Sequence, residues 1–195
     1  GEADNSRTFA RKLANLADLY VNESFGTSHR EDASIVAVTE FLPSYAGLQL
    51  EREMEVLTTL TRHPAPPFIA IIGGAKISDK LPVINNLLPK IDRVIVGGGV
   101  ANTFLASQGI DVKSSKIEQD YISRAGEMFK HSHGKIILPV DYAWGEEKIL
   151  DVGAKSTAQA IQYIKSAKTI LWSGVPGRIE QEPFDKASKA IARAI

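Results

Sequence analysis

Apolar residues mark the elements along this chain. Phe9, Leu13, Leu16, Ala17 and Tyr20 recur at spacings of three and four, which puts them on one face of a helix predicted from Ser6 to Val21. The run Asn22 to Arg30 is polar, holds a glycine and has no period, so it reads as a loop. After Pro43-Ser44, the positions Leu50, Met54, Leu57 and Leu60 predict a second helix from Tyr45 to Arg62. Pro64-Ala65-Pro66-Pro67 ends it, because proline fixes φ and disfavours helix in the residue before it. The texture then changes. Phe68–Ile72, Arg93–Val96, Lys135–Leu138 and Lys168–Trp172 are short apolar runs, each ending in Gly, Pro or Ser-Gly. Helical patterns lie between them, at Ser78–Leu88, Val100–Gln108, Ile117–His131 and Thr157–Ala167. Strands that are apolar throughout belong in a sheet covered on both faces, and strand, turn, helix in repetition means βαβ units. The predicted fold class is α/β: three layers, α/β/α, around a parallel Rossmann-like sheet, incomplete at both chain ends.

Composition narrows the function. The 195 residues carry 23 basic and 23 acidic side chains and no cysteine. Zero net charge argues against a general grip on nucleic acid. No run of about 18 apolar residues exists to span a membrane, and Gly1 to Asn5 shows no basic-then-apolar signal. Without cysteine there is no disulfide scaffold, thiolate zinc site or cysteine nucleophile. A cytoplasmic protein is the default expectation.

Three turns after strands are the places for chemistry. In Gly73-Gly74-Ala75-Lys76-Ile77-Ser78-Asp79-Lys80, glycines permit close backbone approach, a helix begins near Ser78, and two lysines stand four residues apart. Such a turn suits a phosphate, or is an ordinary tight turn with solvated lysines. Gly97-Gly98-Gly99 resembles a dinucleotide fingerprint, but Asn102 sits where the last glycine belongs, and no acidic residue follows a strand about 20 residues on. Trp172 to Glu180 offers Gly174 and Gly177 for main-chain access and Glu180 for ribose hydroxyls, or is a Pro-Gly turn with a surface glutamate. His29-Arg30 offers a guanidinium for phosphate or carboxylate, or is simply solvated. His131-Ser132-His133 reads as a helix terminus, where cations favour the local dipole. Asp141 follows a strand and a proline and either lines a site or caps the next turn. No Ser-His-Asp grouping, carboxylate pair or H-E-x-x-H appears.

Together these residues resemble the phosphoglycerate kinase family. Tyr20 to Arg30 (YVNESFGTSHR) is similar to its Y-V-N-D-A-F-G-T-A-H-R, Phe41-Leu42-Pro43-Ser44 and the helix after it to its interdomain helix, Gly73 to Lys80 to G-G-A-K-V-x-D-K, and Gly97 to Phe104 to G-G-G-M-A-x-T-F. The resemblance implies reversible phosphoryl transfer between 1,3-bisphosphoglycerate with ADP and 3-phosphoglycerate with ATP. Magnesium would be held through the nucleotide, with no metal ligand in this chain. Lys80 and Arg30 would serve catalysis, with Arg30 and His29 on the phosphoglycerate side. Gly73, Gly74, Ala75, Lys76, Lys80, Gly98, Gly153, Ser173, Gly174 and Glu180 would line the nucleotide site, Glu180 on the ribose. If the strand order is 3-2-1-4, the Gly73 and Trp172 turns are neighbours at the sheet's switch point, where open α/β sheets bind ligands.

The family's third turn, W-N-G-P-x-G-x-F-E, is altered here by Ser173, Val175 and Ile179, and Ala154 replaces the proline of its D-x-G-P segment. The stretch from Trp144 to Asp151 is short by the family's measure. The substrate-gripping N-terminal segments and the later G-G-G-D-[ST] turn do not occur. The expectation is a central piece: residues 1–43 as the end of the substrate lobe, 44–62 as the interdomain helix, and 63–195 as the nucleotide lobe without its last strands. Kinase activity of the chain alone should be weak or absent, the alternative being a non-catalytic adenine-nucleotide-binding or assembly module. The family is typically monomeric, but strand Thr169–Trp172 would be left as an exposed edge open to pairing.

Overall fold

A computed structural model describes all 195 residues, which form two compact units, Gly1–His63 and Pro64–Ile195.

In the first unit α1 (Arg7–Ala14) is capped by Ser6, whose hydroxyl accepts the Phe9 N–H. The helix expected to reach Val21 stops at Ala14. Residues Tyr20–Asn22 are drawn instead into strand β1, paired in parallel with β2 (Ser44–Ala46) in the register Tyr20↔Ser44. That pairing also shortens the next helix, since α2 (Leu48–Arg62) begins only after β2 ends. Short 3-10 turns at Phe25–Thr27 and Ala37–Glu40 lie between the strands. The core is small: Ala10, Ala33, Ala37 and Val38, with Leu13, Tyr20 and Phe41 packed against them. Glu23, expected only as a loop residue, caps α2. Gly47 at the N-cap has no side chain to offer, and Glu23 Oε2 accepts the N–H groups of Gln49 (2.9 Å) and Leu50 (3.1 Å), two of the donors that every helix start leaves unpaired.

The second unit is built on β3 (Phe68–Ile72), with α3 (Leu81–Leu87), β4 (Arg93–Val96), α4 (Gly98–Ser107), α5 (Ile122–His131), β5 (Ile136–Ile137), a hairpin of β6 (Tyr142–Gly145) and β7 (Lys148–Val152), α6 (Ala154–Ser166), β8 (Thr169–Ser173) and α7 (Lys186–Ala194). The four main strands are all parallel in the order β5-β4-β3-β8. By sequence rank this is 3-2-1-4, so β3 and β8, the first and last, are neighbours (Ile72↔Ser173). Successive side chains on a strand point to opposite faces. Ile69, Ile71 and Ile95 pack with Ala160, Ile164 and Ile191 of α6 and α7. Phe68, Ala70, Ile72, Val94 and Val96 point the other way and are equally buried, so both faces of the sheet are covered. This explains why the strands are apolar without alternation. β8 lies at one edge of the sheet, with β3 its sole strand neighbour.

Several boundaries differ from the sequence pattern. α3 starts at Leu81, not near Ser78, because Ser78 gives both its N–H (2.8 Å) and its hydroxyl (2.9 Å) to the Glu118 carboxylate and Ile77–Lys80 forms a turn. α5 starts at Ile122, after a 3-10 turn over Gln119–Tyr121. α6 starts at Ala154, three residues early, because Asp141 caps it from across the chain. The antiparallel β6–β7 hairpin was not expected. Its tight turn is made by Glu146 (φ 56°) and Glu147, without the Asn-Gly or Asp-Gly signal that marks such turns in a sequence. No helix is long and apolar enough to cross a membrane.

Candidate functional site

The turns after β3, β4 and β8 meet at the carboxyl end of the sheet, and glycine lets them meet. A Cβ on Gly73 would lie 2.1 Å from the Val175 carbonyl oxygen. Gly98 has φ +62°, and its Cβ would come within 2.9 Å of the Gly74 carbonyl oxygen. Side chains at these places would force the three turns apart. The Val100 N–H donates to the Gly74 carbonyl (3.2 Å), which ties the start of α4 to the first turn. The remaining N–H groups at that helix start carry partial positive charge toward whatever occupies the space in front.

That space is a cleft of about 570 Å³, within the range of small-molecule sites. Gly74, Gly98 and Gly99 form part of its floor, with Asn102 beside them. Ile149, Leu150 and Val175 give apolar walls. The charged side chains at it are Lys116, Lys148, Arg178 and Glu180, all exposed.

The structure brings some of the expected residues to this cleft and puts others beside it or elsewhere. Gly74, Ala75, Gly98 and Glu180 line it. Gly73 is buried behind, packed on the third turn. Lys80 is half-buried and its Nζ donates to Ser173 Oγ at 3.0 Å, across the junction of β3 and β8. One of the two lysines thus stands at the switch point, with Ser173 and Gly174 next to it. Lys76 is exposed and acts electrostatically on Glu118. Glu118 is held below the usual carboxylate range, first by the Ser78 N–H and also by the Ser78 hydroxyl and the Ile77 N–H, so it fastens the turn that carries both lysines. Gly153 does not line the cleft. It is the N-cap of α6, and its missing Cβ makes room for the Asp141 carboxylate, 2.3 Å from where that atom would be. His29 and Arg30 are exposed and belong to the first unit.

Four residues of the site were not picked out from the sequence. Lys116 and Lys148 lie in polar stretches that carry no spacing signal. Asn102 was noted only as a departure from the dinucleotide pattern. Asp151 is the fourth and shapes the third turn. Its Oδ1 accepts the Val152 N–H (2.9 Å) and its Oδ2 the Ala187 N–H (3.1 Å), joining β7 to the start of α7. Gly177 rests directly on it, since a Cβ there would lie 2.4 Å from Asp151 Oδ1. Burial pushes this carboxyl above its ordinary range, with the nearby Asp185 adding to the rise. The Arg178 N–H donates to the Leu150 carbonyl (2.8 Å) and completes the attachment. No group of three His, Asp or Glu side chains is gathered to hold a metal ion. The arrangement offers glycine-lined backbone, an apolar slot, a ring of cations and one exposed carboxylate, which suits a flat ring carrying hydroxyls and an anionic tail.

Comparison with known proteins gives one answer. The family model for phosphoglycerate kinase matches residues 1–195. A phosphoglycerate kinase of Pelotomaculum thermopropionicum is 42% identical over 216 aligned positions, which take in 100% of this chain and 55% of that protein. One from Clostridium perfringens is 40% identical, over 100% of this chain and 54% of its own length. Among solved structures, phosphoglycerate kinase from Coxiella burnetii superposes with a TM-score of 0.84 at 33% identity, covering 100% of this chain and 56% of that one. The Pyrococcus horikoshii enzyme gives 0.84 at 26% identity, over 97% and 55%. The chain spans about 55% of the length of the curated relatives it matches.

Proposed function

The chain belongs to the phosphoglycerate kinase family, and from that premise we propose that its second unit is the nucleotide-binding lobe for reversible phosphoryl transfer between 1,3-bisphosphoglycerate with ADP and 3-phosphoglycerate with ATP. The observation that carries this reading is the position of Lys80, its amine 3.0 Å from Ser173 Oγ at the switch point between β3 and β8, beside the glycine-floored cleft. Open α/β sheets bind ligands at such points. Phosphoryl transfer asks for positioning and positive charge more than for covalent chemistry by the protein.

In this reading the base lies on Gly74 and Gly98, between the Ile149–Leu150 edge and Val175. Glu180 takes the ribose hydroxyls. The phosphates run toward Ser173 and Gly174, with Lys80 at the transferred group and Lys76 outside it. Arg30 and His29, from the first unit, serve the phosphoglycerate, and residues 1–43 and 44–62 are the end of the substrate lobe and the interdomain helix. We assign Gly153 to the α6 cap rather than to the ligand. Magnesium, arriving with the nucleotide, would neutralise phosphate charge; no side chains here are gathered as its ligands, and the steps assigned to this chain are binding and orientation. We place this transfer in glycolysis, as the family name implies, and the protein with it in the cytoplasm.

Calorimetry with ADP tests the reading. The 195-residue chain should bind ADP, and Lys80→Ala should weaken binding by roughly 10- to 100-fold, the worth of one charge-assisted contact. A coupled assay should show turnover far below that of a full-length relative, since the substrate-gripping segments and the G-G-G-D-[ST] turn do not occur in these residues. Absence of ADP binding, or binding indifferent to Lys80→Ala, defeats the proposal.

A further inference from the structure

We propose that Asn102 reads the base of the nucleotide: its Oδ1 accepts a hydrogen bond from the exocyclic amino group of adenine. This rests on the nucleotide reading above and goes further, since it names the atom that selects the base.

Asn102 lies in α4 at the floor of the cleft and is 2% exposed. Buried polar atoms nearly always find partners, and those around it do. Thr103 Oγ1 donates to the Gly99 carbonyl and accepts the Glu118 N–H, and Ser115 Oγ accepts the Ile149 N–H. Asn102 Oδ1 meets no donor at all. The orientation of the amide is set by its other end, because Nδ2 faces the Lys116 carbonyl at 3.4 Å. Turned over, the amide would bring two carbonyl oxygens together. The cleft therefore holds one buried, unused acceptor next to a glycine floor and apolar walls. A purine matches that set. Its faces lie against Ile149, Leu150 and Val175, the Gly98–Gly99 backbone that lines the cleft borders its edge, and an amino group at position 6 supplies the donor. A 6-oxo group would put a second carbonyl oxygen against Oδ1.

The test compares ADP with purine riboside 5′-diphosphate, which carries hydrogen in place of the amino group, and with IDP, which carries oxygen. Calorimetry on the unmodified chain should show ADP bound roughly 5- to 100-fold more tightly than the desamino compound, the span expected when a buried acceptor loses its only donor. IDP should bind no better than the desamino compound. Asn102→Leu, close in volume and without an acceptor, should bring the three ligands to similar affinities, with its thermal transition checked for folding. If that variant does not fold, the comparison on the unmodified chain decides. Equal affinity of the unmodified chain for ADP and the desamino compound overturns the role of Asn102 and leaves the nucleotide reading standing. A preference that survives in folded Asn102→Leu also overturns it. Absence of binding by every ligand overturns both.

Discussion

Replacing Asp141 with alanine should cost the second unit about 2 kcal/mol at neutral pH, the sum of a lost helix cap of about 1 kcal/mol and a lost charge–dipole contact of up to about 1 kcal/mol. The 13-residue helix α6 starts with no cap of its own, because its N-cap is Gly153. Asp141 supplies one from 12 residues upstream. Its Oδ2 accepts the Lys155 N–H (2.9 Å), and its Oδ1 accepts the Ser156 N–H (2.8 Å) and the Ser156 hydroxyl (2.6 Å). Burial alone would raise this carboxyl, but the bonds from Ser156 and Lys155 outweigh it and the net shift is downward. A folded-state pKa below the unfolded value means that the stabilisation is fully present above about pH 4, the unfolded aspartate range. It then fades as pH falls through the folded value. The gap between the two proteins should accordingly close under acid. Gly153→Ala attacks the same contact from the other side, since its Cβ would sit 2.3 Å from the Asp141 carboxyl carbon. With Asp141 already alanine, that clash is gone, so the two substitutions should cost much less together than the sum of their separate costs. Both tryptophans, Trp144 and Trp172, lie in the second unit, so urea unfolding followed by tryptophan fluorescence reports that unit alone. Additive costs, or a Gly153→Ala chain that keeps its stability and loses ADP binding, would refute the capping assignment and return Gly153 to the nucleotide site.

Two further outcomes follow from the geometry. Glu23→Ala should lower the stability of the first unit by about 1 kcal/mol, read as lost helical circular dichroism in urea, because α2 then starts on Gly47 with no acceptor for the Gln49 and Leu50 N–H groups; Glu23→Gln, which keeps an oxygen, should lose less. Gly98→Ala should destabilise the second unit by about 1–3 kcal/mol, because the residue has φ +62° and its new methyl would press on the Gly74 carbonyl; an unchanged urea midpoint would show that the turns can move apart.

Much of this molecule is written in local pattern. The apolar runs at 68–72, 93–96 and 168–172 are strands because a sheet buried on both faces needs nothing polar, and β3, β4 and β8 fall there. The glycines at 73–74 and 97–99 mark places where backbone must approach backbone, and those turns do interlock. Short-range periodicity carries such facts because they concern which faces are hidden. Tertiary structure decided the rest. Whether residues 15–22 and 45–47 stay helical depends on a partner strand more than 20 positions away, and β1–β2 pairing overrode the helical spacing. The helix starts at Leu48 and Ala154 depend on Glu23 and Asp141, carboxylates that sequence spacing does not connect to them. The floor and rim of the cleft follow the same rule. Asn102, Lys116, Lys148 and Asp151 come from three separate segments: α4, the stretch before α5, and β7. A side chain's chemistry is a property of its residue, but its use depends on which distant atoms the fold leaves beside it.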